Sequence, residues 1–346
     1  MSEFQLLKLP SVAFREVLSQ IHINDIFLLS LCSKRTKNTV KRNYNKLLNW
    51  NLFVCSRAVY CLGYQYLPDI KRAMVAVREK GTLDTERMEH VMIDGKEIPI
   101  DRTPTANFIN LYSEDRKSLL TAVFNHINEL FDKNLHTLII RPPSFWVLYL
   151  GDKPFVLVII DPEIEDQEPI SAEQCKYVLR HCKTNELCLN CVFPNGFRYF
   201  GSIAKHNRIV VRHGSWLILE NLISLGQSCT RIRIEKSNLT FKDLNCLIKF
   251  WHRKKVDCFR QLVFQCEIIR GINPFDGLRE NTILVKGPVS LKCDGDTITL
   301  ADGFRFVERE DGQILTYAQE ELQVPMNVFV FDKVEWVEGK GPPNTS

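Results

Sequence analysis

The sequence predicts an α/β protein in three parts: a small N-terminal unit of three helices, an irregular β/α repeat and a closing set of antiparallel strands. The first 46 residues place apolar side chains at helical spacing. Between residues 174 and 265, strand-like and helix-like patterns alternate every 20 to 30 residues or so. After residue 282, short strand patterns are separated by Asp-Gly turns.

The N-terminal unit opens with Leu9-Pro10 and an apolar helix face that consists of Phe14, Val17, Leu18 and Ile21. Asn24 is expected to cap a second helix, and Ser33 a third. Three helices in about 40 residues cannot bury a full core alone, which favours a module that docks on another protein. The alternative is an ordinary helical subdomain that packs on the rest of the chain.

This stretch resembles an F-box. The resemblance rests on Leu9-Pro10, the first helix, the apolar run from Ile26 to Leu31, and Leu31-Cys32-Ser33-Lys34 before a basic tail. It implies that the unit docks on the Skp-type adaptor of a cullin ubiquitin ligase. The positions that the resemblance assigns to adaptor binding are Leu6, Leu9, Pro10, Phe14, Val17, Leu18, Ile26, Leu29 and Cys32.

The middle of the chain is expected to start with a connecting segment over 47–100. Its first part, Leu47 to Leu67, is interpreted as helix and irregular structure, and Asp94-Gly95 predicts a hairpin turn. Ser113 is expected to cap a long helix that ends near Phe131. The strands predicted after this helix are Leu135–Arg141, Trp146–Leu150 and Phe155–Ile160.

The β/α repeat indicates a leucine-rich-repeat-like solenoid. Capping boxes are predicted at Ser171 with Gln174 and at Thr240 with Asp243. The second of these opens a helix whose buried face is Leu244, Leu247, Ile248 and Trp251. Strands are expected near 187–192, 208–212, 230–235 and 261–265, and helices near 174–182, 215–224 and 241–253.

The C-terminal strand patterns are expected to cover the last open strand of the solenoid, which otherwise exposes its backbone groups. Asp-Gly turns at 294–295, 302–303 and 311–312 separate them, and the Gly- and Pro-rich end is expected to be disordered. The predicted strands are Ile283–Val285, Val289–Leu291, Thr297–Leu300, Phe304–Val307, Ile314–Tyr317 and Val328–Phe331.

A second resemblance covers this later region. The segments that begin at Ser215, Ser237 and Gly303 look like the type-2 F-box-associated domain of nematode F-box proteins. The resemblance implies a non-catalytic substrate receptor that holds an unknown target protein. The implied domains are an F-box (1–46), a connecting segment (47–100), a target-binding domain (101–335) that folds without the F-box, and a disordered tail (336–346).

The charge distribution leaves a second function open. Residues 1–46 carry eight Lys or Arg and three Asp or Glu, in a chain whose formal net charge is +4. The basic residues of 34–46 could bind nucleic acid, or they could form the solvated face of a helix. No apolar run is long enough to cross a membrane and no signal-peptide pattern opens the chain, so a cytoplasmic or nuclear location is expected.

The chain shows no dinucleotide, phosphate-loop or metalloprotease motif, so no catalytic residue and no cofactor is predicted. Its 12 cysteines are expected to be thiols in a reducing compartment. One cluster, Cys175, Cys182, Cys188 and Cys191, raises the question of zinc. Only one C-x-x-C is present in it, so structural thiols are favoured over a metal site.

Overall fold

The computed structural model divides the chain into two compact units, Met1–Ile159 and Ile160–Ser346. Among the described residues, no helix is long and apolar enough to cross a membrane. The structure describes residues 6–44, 50–57, 59–67, 70–82, 88–102, 108–133, 135–141, 144–150, 155–161, 170–264, 274–278, 282–284, 289–293, 296–300, 305–319 and 326–331.

The first unit opens with the three predicted helices. Ser33 caps the third one by accepting a hydrogen bond from the backbone N–H of Thr36 at 3.0 Å. The expected cap at Asn24 is wrong, because the side chain of His22 accepts the N–H of Asn24 instead. The helices are α1 (Ser11–Gln20), α2 (Ile23–Leu31), α3 (Lys34–Asn43) and, later in the chain, α4 (Arg116–Phe131).

A mixed sheet forms the rest of this unit. Its strand order is β8-β7-β1-β2-β3-β6-β5-β4, in which β1 runs parallel to β7, and β3 parallel to β6. The strands are β1 (Asn51–Ser56), β2 (Tyr60–Leu67), β3 (Ile70–Glu79), β4 (Glu89–Ile93), β5 (Lys96–Arg102), β6 (Ile109–Ser113), β7 (Leu135–Ile140) and β8 (Phe155–Ile160).

Two expectations for this region are wrong and one is confirmed. The described part of 47–67 forms β1 and β2 rather than helix, since both faces of β1 are buried and hide the alternation of a strand. Residues Phe145–Tyr149 form a 3₁₀ helix where a strand was predicted, because a short apolar run fits either element. The hairpin turn is confirmed, with positive φ at Asp94 (49°) and Gly95 (73°).

The long helix of the first unit begins later than expected. Ser113 closes β6, and Asp115 caps α4 by accepting the N–H of Ser118 at 3.0 Å. The hydroxyl of Ser118 also donates a hydrogen bond to Asp115, and this bond is the main cause of the lowered pKa of Asp115, followed by the bond from the Ser118 N–H.

The second unit is built around four parallel strands in chain order, β9-β10-β11-β12. Both predicted capping boxes are present, at Ser171 with Gln174 and at Thr240 with Asp243. The predicted buried face of the last helix is confirmed, and Trp251 is 0 % exposed. The elements are α5 (Ala172–His181), β9 (Thr184–Leu189), β10 (His206–Val211), α6 (Leu219–Ser228), β11 (Cys229–Ile234), α7 (Phe241–His252) and β12 (Gln261–Phe264).

Antiparallel strands follow the parallel array, close to where they were predicted. The strand β18 pairs antiparallel with β12, and the order continues through β17 and β16 to β13. A separate hairpin joins β14 and β15. The strands are β13 (Thr282–Leu284), β14 (Val289–Cys293), β15 (Asp296–Leu300), β16 (Arg305–Glu308), β17 (Ile314–Gln319) and β18 (Met326–Phe331).

Of the predicted Asp-Gly turns, 311–312 lies between β16 and β17, and Gly312 adopts a φ of 82° there. The turns at 294–295 and 302–303, together with the tail 336–346, lie outside the described residues.

One arginine ties these closing strands to the parallel array. Arg309 is 2 % exposed, and its guanidinium donates two hydrogen bonds to Asp311, at 2.9 and 2.7 Å. It also donates to the carbonyl of Trp251 at 3.2 Å and lies 2.7 Å from a carboxylate oxygen of Asp257. The hydrogen bond from Arg309 lowers the pKa of Asp311 to about 2. The start of the β16–β17 turn is therefore fixed to the end of α7.

Candidate protein-interaction surfaces

The nine positions assigned to adaptor binding fall into two sets in the structure. Phe14, Leu18 and Ile26 are 1–2 % exposed and form the core between the N-terminal helices. Because a rigid partner cannot reach a buried side chain, these three residues shape the surface from below. The other six are half-buried or exposed and lie at the surface: Leu6, Leu9, Pro10, Val17, Leu29 and Cys32.

A further apolar residue belongs to this surface. Val12 is 76 % exposed, in the first turn of α1 directly after Pro10. Sequence reasoning missed it because it lies off the buried stripe of the helix. The sequence signal for Val12 was an apolar residue two positions after Pro10 that does not belong to the apolar stripe of the helix. We call Leu6, Leu9, Pro10, Val12, Val17, Leu29 and Cys32 the N-terminal apolar surface.

Helix α4 packs against the second and third N-terminal helices. A hydrogen bond of 2.7 Å joins the hydroxyl of Ser30 to Nε2 of His126, whose ring meets the edge of Phe27 at 5.7 Å between centroids. One turn further on, Lys37 forms an ion pair of 2.6 Å with Glu129. The core of the three N-terminal helices is therefore shared with α4 and is not closed within residues 6–44.

Aromatic rings extend the same contact. Tyr44 packs edge-on against Phe131 at 5.0 Å, and Phe131 in turn meets Trp50 at 5.4 Å. Trp50 also packs against Tyr64 of β2, at 6.1 Å. Each of these rings is at most 8 % exposed. Edge-to-face rings at such distances stabilise a core beyond the area they bury.

The environment of α4 perturbs two ionisable groups. Burial, with a further contribution from Lys37, lowers the pKa of His126 to about 4, so the imidazole is neutral at physiological pH. The hydrogen bond from Lys37 lowers the pKa of Glu129, which keeps that carboxylate charged. The contact between α3 and α4 thus combines a neutral imidazole with a charged pair.

The basic segment that could bind nucleic acid is partly used inside the chain. Lys37 is occupied by Glu129, and its side chain is only 18 % exposed. Lys41 and Arg42 lie in the last turn of α3, where cations interact favourably with the helix dipole. Lys34 and Arg35 are exposed, and Lys46 lies outside the described residues. No observation extends this segment into a basic groove.

The cysteine cluster is divided between core and surface. Cys175, Cys182 and Cys191 are buried, and burial raises the pKa of each thiol to about 12. Cys188 is half-buried on β9. Thiols with such pKa values are poor metal ligands and poor nucleophiles at neutral pH. Within the described part of the chain, no three His, Cys, Asp or Glu side chains are grouped to hold a metal ion.

The parallel strands of the second unit bury the same positions in turn. β9, β10 and β11 each bury their first, fourth and sixth residues, and β12 buries Leu262 and Phe264 in register with them. The third and fifth residues of β9, β10 and β11, with Gln261 and Val263 of β12, point to the side of the sheet opposite the fourth and sixth residues. We call this side the open face. Its residues, all half-buried or exposed, are Glu186, Cys188, Arg208, Val210, Arg231, Arg233, Gln261 and Val263.

Comparison with known families identifies one region of the chain. The model of the F-box domain matches residues 6–48, which hold the three N-terminal helices and the whole N-terminal apolar surface. An F-box domain points to binding of a Skp-type adaptor and to substrate recognition in SCF-type ubiquitin ligases. Proteins with this domain are generally non-catalytic subunits. No curated protein matches the chain.

Proposed function

We propose that this protein is a non-catalytic substrate-recognition subunit of an SCF-type ubiquitin ligase that acts in the cytoplasm or nucleus. The observation that carries the proposal is the F-box match over residues 6–48. In this role the F-box docks on the Skp-type adaptor and, through it, on the cullin scaffold. The rest of the chain holds a target protein, and ubiquitin transfer speeds up because target lysines gain a high effective concentration near the conjugating enzyme.

The N-terminal apolar surface is the proposed adaptor contact. The contacts with His126 and Glu129 of α4 use Phe27, Ser30 and Lys37, none of which belongs to this surface. Pro10 and Val12 are exposed and Leu9 is half-buried, so these neighbours offer an accessible apolar patch. Burial of such a patch in an interface is favourable because it removes apolar area from water.

The test is co-purification with a Skp-type adaptor. We expect Leu9→Ala with Pro10→Ala to weaken adaptor binding strongly, since central apolar anchors contribute about 2 kcal/mol or more each. Tyr149→Ala is a matched control, because this side chain is also exposed (71 %) and lies in the first unit. Circular dichroism verifies the fold of each variant. Unchanged adaptor binding by the folded double variant contradicts the proposal.

Target binding is assigned to the second unit. The burial of first, fourth and sixth strand residues matches the L-x-x-L-x-L spacing of leucine-rich repeats. In β11 this pattern continues to Leu239, which is 2 % exposed. These observations support a leucine-rich-repeat-like array within a type-2 F-box-associated domain, here proposed to extend over 101–335. The non-helical face of such an array is an extended binding surface.

A further inference from the structure

The open face of the parallel sheet is basic. In one row across the strands, Glu186 is followed by Arg208, Arg231 and Gln261. The next row contains Arg233. With Glu235, which follows β11 and accepts a hydrogen bond from Arg233, this side of the sheet has three arginines and two glutamates. A basic surface of this kind attracts a partner of opposite charge.

The arginines on this face already bind carboxylates of the chain itself. Arg208 lies 3.7 Å from Glu186, and Arg233 donates a hydrogen bond of 2.9 Å to Glu235. A guanidinium has five N–H donors, so an Arg–Glu pair leaves donors for a second carboxylate. Both arginine side chains are about half exposed, at 47 % and 51 %. The face can therefore accept further acidic groups without breaking its own pairs.

The apolar residues of the face lie between these charges. Val210 is in register with Arg233, and Val263 lies on the other side of Arg233. Both valines are half-buried, and so is Cys188 beside Val210. A partner thus meets a short apolar row, interrupted by Arg233, alongside the other two arginines.

We propose that the open face binds an acidic, extended polypeptide segment of the target. Neighbouring strands place Arg208 and Arg231 about 4.8 Å apart, and two residues along β11 separate Arg231 from Arg233 by about 6.6 Å. Acidic side chains at alternate positions of an extended peptide have the second spacing. The inference rests on the proposed function, in which the second unit holds the target.

A polypeptide fits this face better than a nucleic acid does. None of the eight residues of the open face is aromatic, and single-stranded nucleic acids are usually held by bases stacked on aromatic rings. The valine row has no counterpart in a phosphate backbone.

The experiment uses the full chain and a fluorescent 12-residue probe in which Glu alternates with Val. Binding is measured by anisotropy at low and at moderate salt. The test variant is Arg231→Glu with Arg233→Glu. The matched control is Lys242→Glu with Arg253→Glu, which makes the same change of charge at exposed positions of α7 and the residue after it. We expect the test variant to lose roughly tenfold or more in affinity and the control to change less than about twofold.

Three outcomes overturn the proposal. They are wild-type affinity in the folded test variant, an equal loss in the control, and tighter binding of a single-stranded oligonucleotide of the same charge that is lost in the test variant. The last outcome assigns the face to nucleic acid. Adaptor binding is measured in parallel and should stay unchanged in both variants. Failure of the wild-type chain to bind the adaptor would refute the ligase role, while the probe result still decides the open face.

Discussion

The N-terminal helices and the parallel array bury their cores in different ways. In the array, each strand contributes the same buried positions and each of α6 and α7 has its own buried stripe. The F-box closes its core only with help from α4, through Phe27 with His126 and Tyr44 with Phe131. A repeat therefore gains stability from its like neighbours, whereas a three-helix module of about 40 residues depends on an unlike one.

The difference has a consequence for function. Because α4 holds the F-box through Ser30 and Lys37, the proposed adaptor surface has a fixed orientation relative to the sheet of the first unit.

The largest effect is expected from removing the F-box. A fragment of residues 50–346 leaves Phe131, Trp50 and His126 without the helices that cover them. We expect the first unit of this fragment to lose its cooperative unfolding transition and to aggregate. Sequence reasoning predicts that the chain folds without its first 46 residues, unless the aromatic residues of 47–67 pack on both parts, in which case the fragment aggregates. Urea denaturation followed by tryptophan fluorescence and circular dichroism measures the outcome.

The matched control for this truncation is a fragment of the second unit, residues 160–346. The second unit is compact in itself, so we expect this fragment to remain soluble and to unfold in one transition. A 50–346 fragment that shows both transitions at their full-length midpoints would mean that α4 does not need the F-box, and the proposed dependence would be wrong.

The second largest effect is expected inside the array. Trp251→Ala removes a ring that is 0 % exposed, and such changes typically cost about 3–5 kcal/mol. Phe250→Ala is the control, because the ring of Phe250, which precedes Trp251 in the chain, is only half-buried. The midpoint of the second unit in urea should fall strongly for Trp251→Ala and little for Phe250→Ala, while adaptor binding stays unchanged. Equal shifts for the two variants would count against the array core described here.

The sequence predicts the elements that have local signals, and it does not predict those whose burial depends on distant contacts. The capping boxes at Ser171 and Thr240 and the strand spacing of the array are local signals, so they were predicted correctly. The strand β1 was not, because burial of both faces removes its alternation. The sequence also did not show that Phe14 and Ile26 are buried, because helical spacing does not tell which apolar residues face a core and which face a partner.

The connection between the array and its closing strands provides a smaller test. Arg309→Met removes the hydrogen bonds to Asp311 and to the carbonyl of Trp251, and bonds of this charged kind contribute about 1.5–3 kcal/mol. Arg305→Met, at an exposed position of β16, should change the free energy of unfolding by less than about 0.5 kcal/mol. Amide hydrogen exchange should show faster exchange in β16 and β17 for Arg309→Met only. Equal exchange rates of the β16 and β17 amides in the two variants would show that Arg309 does not hold these strands.

The smallest effect concerns the protonation of His126 in the contact between the F-box and α4. The pKa of this imidazole is lowered to about 4 in the folded chain, from 6.5 in an unfolded one, because of burial and the positive charge of Lys37. Between these two values the unfolded state binds a proton that the folded state does not. The contribution to stability is therefore complete above pH 6.5 and is lost as the pH falls towards 4.

Comparison of the urea midpoint of the first unit at pH 7.5 and pH 5 tests this sign. His126→Gln removes the titration and keeps a hydrogen-bonding group for Ser30. It should lose less stability than the wild type over this interval, and His90→Gln, at an exposed position of β4, should behave like the wild type. Glu129 faces the same contact and stays charged over most of the range, because Lys37 lowers its pKa. If His126→Gln and the wild type lose the same stability, the imidazole is accessible to protons and the F-box is held less closely to α4 than the 2.7 Å hydrogen bond between Ser30 and His126 indicates.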